Sequence, residues 1–343
     1  MASERELLMH LENLSVNYRT RRGWVSAVDD VTMDIYKGEV LGLVGESGSG
    51  KSTLGKALMR LNPRSARVTG KLMFLGEDLM TYSNAQMRRI RGDRISMVFQ
   101  DPMTSLNPIQ RIVNHITETI RTHQPQTPES EAVNRAKELV DVLGISDNRL
   151  DDYPHQLSGG MRQRIMIALG LALNADLIIA DEATTSLDVI VEAQFMALLK
   201  DLCREFNLTI LLITHNIGLV AQLADRVAVM YAGRLAEVGP VETIFKDPQH
   251  PYTRGLLGAV PTILLDDHEE LYRMEGSPPD LIAPPPGCRF HPRCKHAMDV
   301  CKIETPVFKP IENGNATSCW LYDDIPAEFT GELLVSAQEV VGT

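Results

Sequence analysis

The chain has 343 residues, of which 44% are hydrophobic and 23% are charged, which is enough for a packed core and, by length, for about two domains. Its 45 acidic and 34 basic side chains give a formal net charge of −11, which argues against a general nucleic-acid-binding surface. The most apolar stretch, residues 165–173, is too short to cross a bilayer, and residues 1–9 lack the apolar core of a signal peptide. We therefore expect a cytoplasmic chain that reaches any membrane only through partners.

Apolar runs alternate with helical patterns along most of the chain. Residues 31–35 alternate between apolar and polar positions, and residues 40–44 form a continuous apolar run, so both are predicted strands. Further strands are predicted at residues 71–75, 95–99, 177–181, 209–214 and 227–231, and helices at residues 51–61 and 189–206. This order predicts βαβ units and an α/β fold with a largely parallel sheet.

Two regions break the alternation. Residues 104–173 contain a helical pattern at 129–143 and no convincing strand, which predicts a helical subdomain inserted between two core strands. Beyond Pro240 the composition changes, and residues 276–292 are too rich in proline for a regular helix or a central strand. We expect a small C-terminal module there, organised by something other than a hydrophobic core.

A glycine-rich segment connects the strand at residues 40–44 to the helix that follows. It fits the pattern G-x-x-x-x-G-K-[ST] and consists of Gly45, Glu46, Ser47, Gly48, Ser49, Gly50, Lys51 and Ser52. The backbone N–H groups of such a loop and the helix N-terminus bind phosphate. Lys51 would reach the β- and γ-phosphates, and the Ser52 hydroxyl would ligate Mg²⁺. This P-loop predicts a site for a nucleoside triphosphate with Mg²⁺.

Two carboxylates end the apolar run at residues 177–181. Ligands of parallel sheets bind at the carboxyl ends of the strands, so Asp181 is predicted to hold Mg²⁺ and Glu182 to orient or deprotonate the attacking water. A solvated strand end is the alternative interpretation. The sequence lacks the Asn-Lys-x-Asp and Thr-Lys-x-Asp patterns that a guanine-specific site would use. ATP is therefore the expected nucleotide.

A second glycine motif precedes an apolar helix and reads Leu157, Ser158, Gly159, Gly160, Met161. Here the chain resembles the ATP-binding cassette (ABC) superfamily, whose signature is LSGGQ, and the resemblance covers residues of about 10 to 240. It implies a P-loop NTPase fold with a mostly parallel core sheet, an N-terminal antiparallel β subdomain and an inserted helical subdomain at about 104–173. The implied nucleotide-binding domain is residues 1–250.

The resemblance also implies roles for residues outside the P-loop. Tyr18 matches the aromatic that stacks on adenine, although Trp24 is a competing aromatic nearby. Gln100 matches a Mg²⁺ ligand and conformational sensor, and His215 matches the histidine that senses the γ-phosphate. The full set of implied nucleotide contacts is Tyr18, the P-loop residues, Thr53, Ser158, Gly159, Gly160 and Asp188.

The signature implies that the chain acts as one half of a dimer. Ser158 and the two glycines open a helix and form a second phosphate-binding N-terminus, far along the chain from the P-loop. In the family, two subunits meet head to tail, and this turn of one covers the ATP held by the other. Met161 departs from the signature glutamine and Asn216 from the usual aspartate after the histidine, but neither change removes a catalytic group.

The C-terminal part looks like the oligopeptide/dipeptide permease ATPases, an uptake subfamily, through His250 to Arg254 and Gly287 to Cys294. The implied C-terminal extension is residues 251–343. Its cysteines are spaced C-x5-C-x6-C-x17-C and comprise Cys288, Cys294, Cys301 and Cys319. An all-cysteine set suits a [4Fe–4S] cluster. Tetrahedral zinc is an alternative that lacks the usual close spacing, and four unligated thiols are another.

Together these features predict an ATPase subunit of an ABC importer for short peptides. The implied partners are a second ATPase, homologous or identical, two transmembrane permeases and an extracytoplasmic substrate-binding protein, with the ATPase at the cytoplasmic face of the membrane. Related systems carry nickel or oligosaccharides, so those cargoes stay open. A soluble ABC ATPase of DNA repair or translation is a weaker alternative, because the sequence has one cassette and no long coiled-coil insertion.

Overall fold

The computed structural model describes residues 5–99, 105–182, 189–259 and 274–325. In these residues an antiparallel sheet has the strand order β2-β1-β4-β5. Its strands are β1 (Leu7–Thr20), β2 (Gly23–Tyr36), β4 (Ala66–Phe74) and β5 (Glu77–Asp78). This sheet agrees with the antiparallel N-terminal subdomain that the family resemblance implies.

A larger sheet of eight strands runs through the rest of the described residues in the order β11-β12-β10-β9-β3-β8-β7-β6. The strands from β9 to β6 in this order pair parallel, whereas β10, β12 and β11 add antiparallel strands at one edge. Their bounds are β3 Val40–Val44, β6 Ile95–Val98, β7 Leu177–Asp181, β8 Ile210–Ile213, β9 Arg226–Tyr231, β10 Arg234–Pro240, β11 Lys309–Pro310 and β12 Ala316–Thr317. The largely parallel core predicted from the sequence is present.

Helices cover this sheet and form the region between β6 and β7. In the described part of that region, residues 105–173, there are helices and no strand. Over all the described residues the α-helices are α1 Lys51–Leu58, α2 Asn84–Ile90, α3 Ile112–His123, α4 Glu129–Val142, α5 Gly159–Leu171, α6 Val189–Glu205, α7 Ile217–Leu223, α8 Val241–Lys246, α9 Pro251–Gly258 and α10 Asp299–Ile303. Across the described ranges, none of the helices combines the length and hydropathy needed to span a bilayer.

The parallel strands are buried on both faces. Along β3, Leu41 and Leu43 pack into a cluster with the antiparallel sheet, whereas Val40 and Val44 pack into a second cluster with the helices of residues 112–171. Successive side chains of a strand point to opposite faces, so each strand contributes to both clusters. This arrangement explains why these strands are continuous apolar runs rather than alternating ones.

The C-terminal extension shares the main sheet and core. Ala316–Thr317 pairs with β10, and Phe290 belongs to the same buried cluster as β3 and β7 residues. A small separate cluster holds Val300, Cys301 and Trp320. The expectation of a module organised without a hydrophobic core therefore holds only in part, because aromatic packing against the cassette anchors it. The division of the chain at residue 250 stays a prediction.

Candidate nucleotide-binding site

The P-loop lies between the carboxyl end of β3 and the start of α1. Two of its glycines are required by close backbone approach: a Cβ on Gly45 would lie 2.2 Å from the Met230 carbonyl oxygen, and one on Gly50 would lie 2.2 Å from the Ala27 carbonyl oxygen. Both have positive φ, 150° and 106°, which also favours glycine. Ser47 and Gly48 are exposed at the tip of the loop. The loop thus has the shape in which backbone N–H groups can surround phosphate oxygens.

Lys51 points back into this loop. Its side chain is buried, and its Nζ donates to the carbonyl oxygens of Gly45 at 2.8 Å and Glu46 at 3.0 Å. Burial lowers the pKa of Lys51, and the nearby carboxylates of Glu182, Asp181 and Glu46 act in the opposite direction. The ammonium group is therefore placed inside the loop, where incoming phosphate oxygens could replace the two carbonyls.

Ser52 and Asp181 are brought together from α1 and the end of β7. The Ser52 hydroxyl donates to a carboxylate oxygen of Asp181 at 2.7 Å. Burial raises the pKa of Asp181, and the hydrogen bond from Ser52 opposes that change. A hydroxyl and a carboxylate beside a phosphate-binding loop are ligands that suit Mg²⁺. Among the described residues there is no group of three or more His, Cys, Asp or Glu placed to hold a metal ion.

Glu182 and His215 face each other at the ends of neighbouring parallel strands. His215 Nδ1 lies 3.4 Å from Glu182 Oε1, and the imidazole is more exposed than the carboxylate. The backbone of Glu182 has φ 50°, a left-handed conformation uncommon for a non-glycine residue, and its N–H donates to the Ile213 carbonyl oxygen at 2.8 Å. The carboxylate of Glu182 thus lies beside the side chain that follows the neighbouring strand β8.

The two competing aromatics of the first hairpin have different environments. Tyr18 is partly buried against the cluster beneath the antiparallel sheet, and Asn62 Nδ2 donates to its hydroxyl at 2.9 Å and to the Thr53 carbonyl oxygen at 3.4 Å. Trp24 is 48% exposed. Because Thr53 belongs to the first turn of α1, the Asn62 link places Tyr18 beside the P-loop helix. This placement favours Tyr18 as the aromatic next to a bound base.

The signature segment forms a capped helix N-terminus. Ser158 precedes α5, and its Oγ accepts a hydrogen bond from the Met161 backbone N–H at 3.3 Å. Gly159 and Gly160 are the first two helical residues, so their N–H groups point out of the helix end and can bind an anion. Gln100 and Asp188 lie outside the described residues, so their roles stay predictions.

The four cysteines of the C-terminal extension line one small cavity, together with His250, His291 and His296. Burial raises the pKa of every one of these thiols, to about 11 for Cys288 and about 12 for Cys319. For Cys319 the charges of the other three thiolates act in the same direction, which indicates that the four groups are close enough to repel one another when ionised. Four cysteines that are separated along the chain thus lie close together around one cavity.

Comparison with known proteins identifies the family. Residues 28–185 match the family model described as ABC transporter. The chain is 46% identical over 322 residues to the dipeptide transport ATP-binding protein DppD of Bacillus subtilis, an alignment that covers 93% of this chain and 96% of that protein. The chain belongs to the ABC transporter family. It is an ABC ATPase, and residues 236–301 match the model described as oligopeptide/dipeptide transporter, C-terminal region.

Further similarities extend over both the cassette and the C-terminal extension. This ABC ATPase is 44% identical over 324 residues to the oligopeptide transport ATP-binding protein OppD of Bacillus subtilis, covering 93% of this chain and 90% of that protein. A solved dimeric structure of the ABC cassette MJ0796 in a post-hydrolysis state with ADP and Pi superposes with a TM-score of 0.62 at 27% identity. It covers 68% of this chain and 99% of that one. The membership in the ABC superfamily and in its peptide permease subfamily that the sequence motifs predict is confirmed.

Sequence reasoning missed two residues that contact the P-loop of this ABC ATPase. Tyr252 accepts a hydrogen bond from the Glu46 backbone N–H, and Arg293 forms an ion pair with the Glu46 carboxylate. Tyr252 and Arg293 stand in the very segments that carry the resemblance to the peptide permease ATPases. Their place in these segments is the available signal, although the sequence pattern there points to the family and to a cysteine cluster rather than to the P-loop.

Proposed function

We propose that this ABC ATPase powers the uptake of short peptides through partner permeases. The proposal is supported by the match of residues 236–301 to the oligopeptide/dipeptide transporter C-terminal region and by the dipeptide and oligopeptide transport relatives that align along almost the whole chain. Its further partners would be a second ATPase, homologous or identical, and an extracytoplasmic substrate-binding protein. The chain would sit at the cytoplasmic face of the membrane, held there by the permeases.

The observation that supports ATP hydrolysis by this chain is that Ser52 contacts Asp181, and Glu182 contacts His215, beside one P-loop. Ser52 and Asp181 would hold Mg²⁺, Ser52 directly and Asp181 through water. Glu182 would orient the attacking water and accept its proton, while His215 contacts the γ-phosphate. Lys51 and the P-loop N–H groups would stabilise the charge that develops on the phosphoryl oxygens.

Residues outside the P-loop complete the proposed ATP site. Tyr18 would stack on the adenine. Gln100 would ligate Mg²⁺ and report nucleotide state to the permease, and Asp188 would contact the site across the dimer. The Ser158 turn of one subunit would cover the ATP on the Lys51 side of the other, so ATP binding closes the pair and hydrolysis releases it. Closure would then change which side of the membrane the pore faces.

Uptake by whole cells tests this proposal. Cells that carry Glu182→Gln in place of the natural chain should lose accumulation of labelled di- and tripeptides, and a matched Glu242→Gln variant, whose side chain is 80% exposed, should retain it. Nickel and labelled oligosaccharide are measured in the same cells. Retained peptide uptake combined with loss of nickel or oligosaccharide uptake would assign the other cargo of the same transporter family.

We further propose that Cys288, Cys294, Cys301 and Cys319 bind a [4Fe–4S] cluster that stabilises the C-terminal extension. The four thiols line one cavity, and the positive charge of the iron would offset the mutual repulsion of their thiolates. Structural zinc sites usually take cysteines spaced C-x₂₋₄-C, a spacing that these four cysteines lack, whereas an all-cysteine set suits a four-iron cluster. The donor set therefore fits a cluster better than zinc.

Metal analysis of the purified chain decides this second proposal. Anaerobically prepared protein should be brown and contain iron and acid-labile sulfide, and Cys294→Ser should lose both. Cys203→Ser is the matched control, because Cys203 lies on α6 and burial there raises its thiol pKa to about 12 without another cysteine nearby. Stoichiometric zinc in the purified protein would show that the four cysteines bind zinc and not a cluster. A colourless, metal-free wild-type protein would refute a bound metal.

A further inference from the structure

Glu46, the second residue of the P-loop, is held by the C-terminal extension. Its backbone N–H donates to the Tyr252 hydroxyl at 2.9 Å. Its carboxylate accepts two hydrogen bonds from the Arg293 guanidinium, at 2.8 Å from Nη1 and 3.0 Å from Nη2. Arg293 lies 247 residues from Glu46 along the chain, directly before Cys294. The phosphate-binding loop is thus supported by a contact from a residue that is distant along the chain.

Arg293 is fixed in one position. Its side chain is only 5% exposed, its Nε donates to the Glu275 carbonyl oxygen at 3.0 Å, and its Nη1 also contacts the Tyr231 hydroxyl at 3.3 Å. Its guanidinium carbon lies 5.7 Å from the centre of the Tyr231 ring and 6.0 Å from that of Phe290. The hydrogen bonds to Glu46 raise the pKa of Arg293. A buried, permanently charged fork with this many contacts holds a carboxylate in one orientation.

Tyr252 is equally constrained. It is fully buried, and its ring packs 4.5 Å from that of Tyr231 and 5.5 Å from that of Phe290, centre to centre. Its hydroxyl therefore stays at the Glu46 N–H without the freedom to rotate away. Together the two side chains fix both the backbone and the carboxylate of one P-loop residue.

The orientation of the Glu46 carboxylate matters because Lys51 is near. Lys51 Nζ already donates to the Glu46 carbonyl oxygen, and the Glu46 carboxylate is one of the charges that act on Lys51. A carboxylate released from Arg293 would be attracted to this ammonium, since opposite charges at short range in a half-buried site interact strongly. It would then compete with phosphate for Lys51 and add negative charge where a polyanion must bind.

We propose that Arg293 is a positioning residue of the ATP site: it holds the Glu46 carboxylate away from Lys51, and Tyr252 fixes the Glu46 backbone, so that the P-loop is ready for phosphate. The C-terminal extension thereby sets the nucleotide affinity of the cassette. The proposal rests on the proposed ATP site and does not depend on the cargo.

Nucleotide titration of the full-length chain tests the proposal, with MgATP affinity, KM and kcat measured for each variant. Arg293→Gln should raise the Kd and KM for MgATP about tenfold and leave kcat at saturating ATP within about twofold. Arg293→Lys keeps the charge but loses the two-pronged contact, so its Kd should lie between those of Arg293→Gln and the wild type. The decisive variant is Glu46→Gln combined with Arg293→Gln, which removes the competing carboxylate and should bring the Kd back to within about threefold of wild type.

Controls separate positioning from general loosening of the extension. Arg254→Gln removes an exposed arginine of α9 whose hydrogen bonds go to the Tyr322 hydroxyl and the Pro248 carbonyl oxygen rather than to the P-loop, and it should leave the Kd unchanged. If Arg293→Gln lowers only the melting temperature, or if the double variant binds no better than Arg293→Gln, Arg293 has a structural role alone and the proposal is refuted. An equal loss of affinity in Arg254→Gln would refute it as well. A wild-type chain that binds no MgATP would instead overturn the ATPase assignment.

Discussion

Glu237 offers a sharp test of how the C-terminal extension is attached to the cassette. This β10 residue is fully buried and accepts hydrogen bonds from the backbone N–H groups of Gln249 at 2.9 Å and His250 at 3.0 Å, and from Asn315 Nδ2 at 2.7 Å. It therefore connects a core strand to the start of α9 and to the turn before β12. We predict that Glu237→Gln weakens these connections without changing the volume of the side chain.

The size of the effect follows from the number of donors. A glutamine oxygen can keep Gln249 and Asn315, but its NH₂ group then faces the His250 N–H, so that two donors oppose each other in a buried place. Each stranded buried donor costs about 1–3 kcal/mol, and the surviving bonds are weaker because the acceptor has lost its charge. We therefore expect Glu237→Gln to lower the free energy of unfolding of this region by about 3 kcal/mol.

Tryptophan fluorescence can follow this region alone. The chain has two tryptophans, Trp24 on the first hairpin and the buried Trp320 in the extension, so a Trp24→Phe background leaves Trp320 as the sole reporter. Urea unfolding is compared for Glu237→Gln and for Glu242→Gln, an exposed glutamate of the neighbouring helix α8. If the two variants unfold within about 0.5 kcal/mol of each other, the buried carboxylate does not stabilise the attachment and the reasoning fails.

Three further predictions address catalysis, base binding and packing. Glu182→Gln should retain MgATP binding but lower phosphate release at least about a hundredfold, because the attacking water loses its base; unchanged turnover would remove Glu182 from the mechanism. Tyr18→Ala should weaken ATP binding about tenfold through lost stacking while Trp24→Ala changes it less than about twofold, and the reverse order in a fluorescent-nucleotide titration would exchange their roles. Phe290→Ala should lower the free energy of unfolding by about 4 kcal/mol, with Phe290→Leu clearly milder in the same urea experiment; equal stability of the two variants would contradict the aromatic anchoring.

The core strands and the P-loop could be predicted because their signals are local. The strands predicted at residues 40–44 and 177–181 have the same bounds in the structure, since strands covered on both faces are short continuous apolar runs. The contacts between Ser52 and Asp181 and between Glu182 and His215 join distant parts of the chain, yet they were also foreseeable. Parallel strands bring their carboxyl ends to one edge, so motifs that follow such strands must meet there.

Strand β1 shows where the sequence pattern failed. Its pairing with β2 shifts register between Leu11 and Leu14, and Asn13 has φ 51°, so the alternation of buried and exposed residues is interrupted. A period-two search therefore finds no clear strand in residues 7–20. The edge strands of the extension are two residues long and carry no periodic signal at all.

The contact between Glu46 and Arg293 could not be read from the sequence for a different reason. Glu46 occupies a position of the P-loop pattern that accepts any residue, and Arg293 stands among cysteines that draw attention to metal binding. Neither position has a spacing that relates it to the other. Only the packing of Tyr231, Tyr252 and Phe290 brings the extension against the loop, and such long-range packing depends on the whole fold.

The pairing of β12 with β10 also has a consequence for solubility. Without it, β10 would leave a row of free N–H and C=O groups along the side of the sheet, a surface on which other chains can add strands and aggregate. The outermost strand, β11, is only two residues long and ends in Pro310, which has no N–H to offer to a further strand. A chain truncated before residue 309 would therefore expose the β10 edge and be prone to aggregation, and strands β11 and β12 protect that edge.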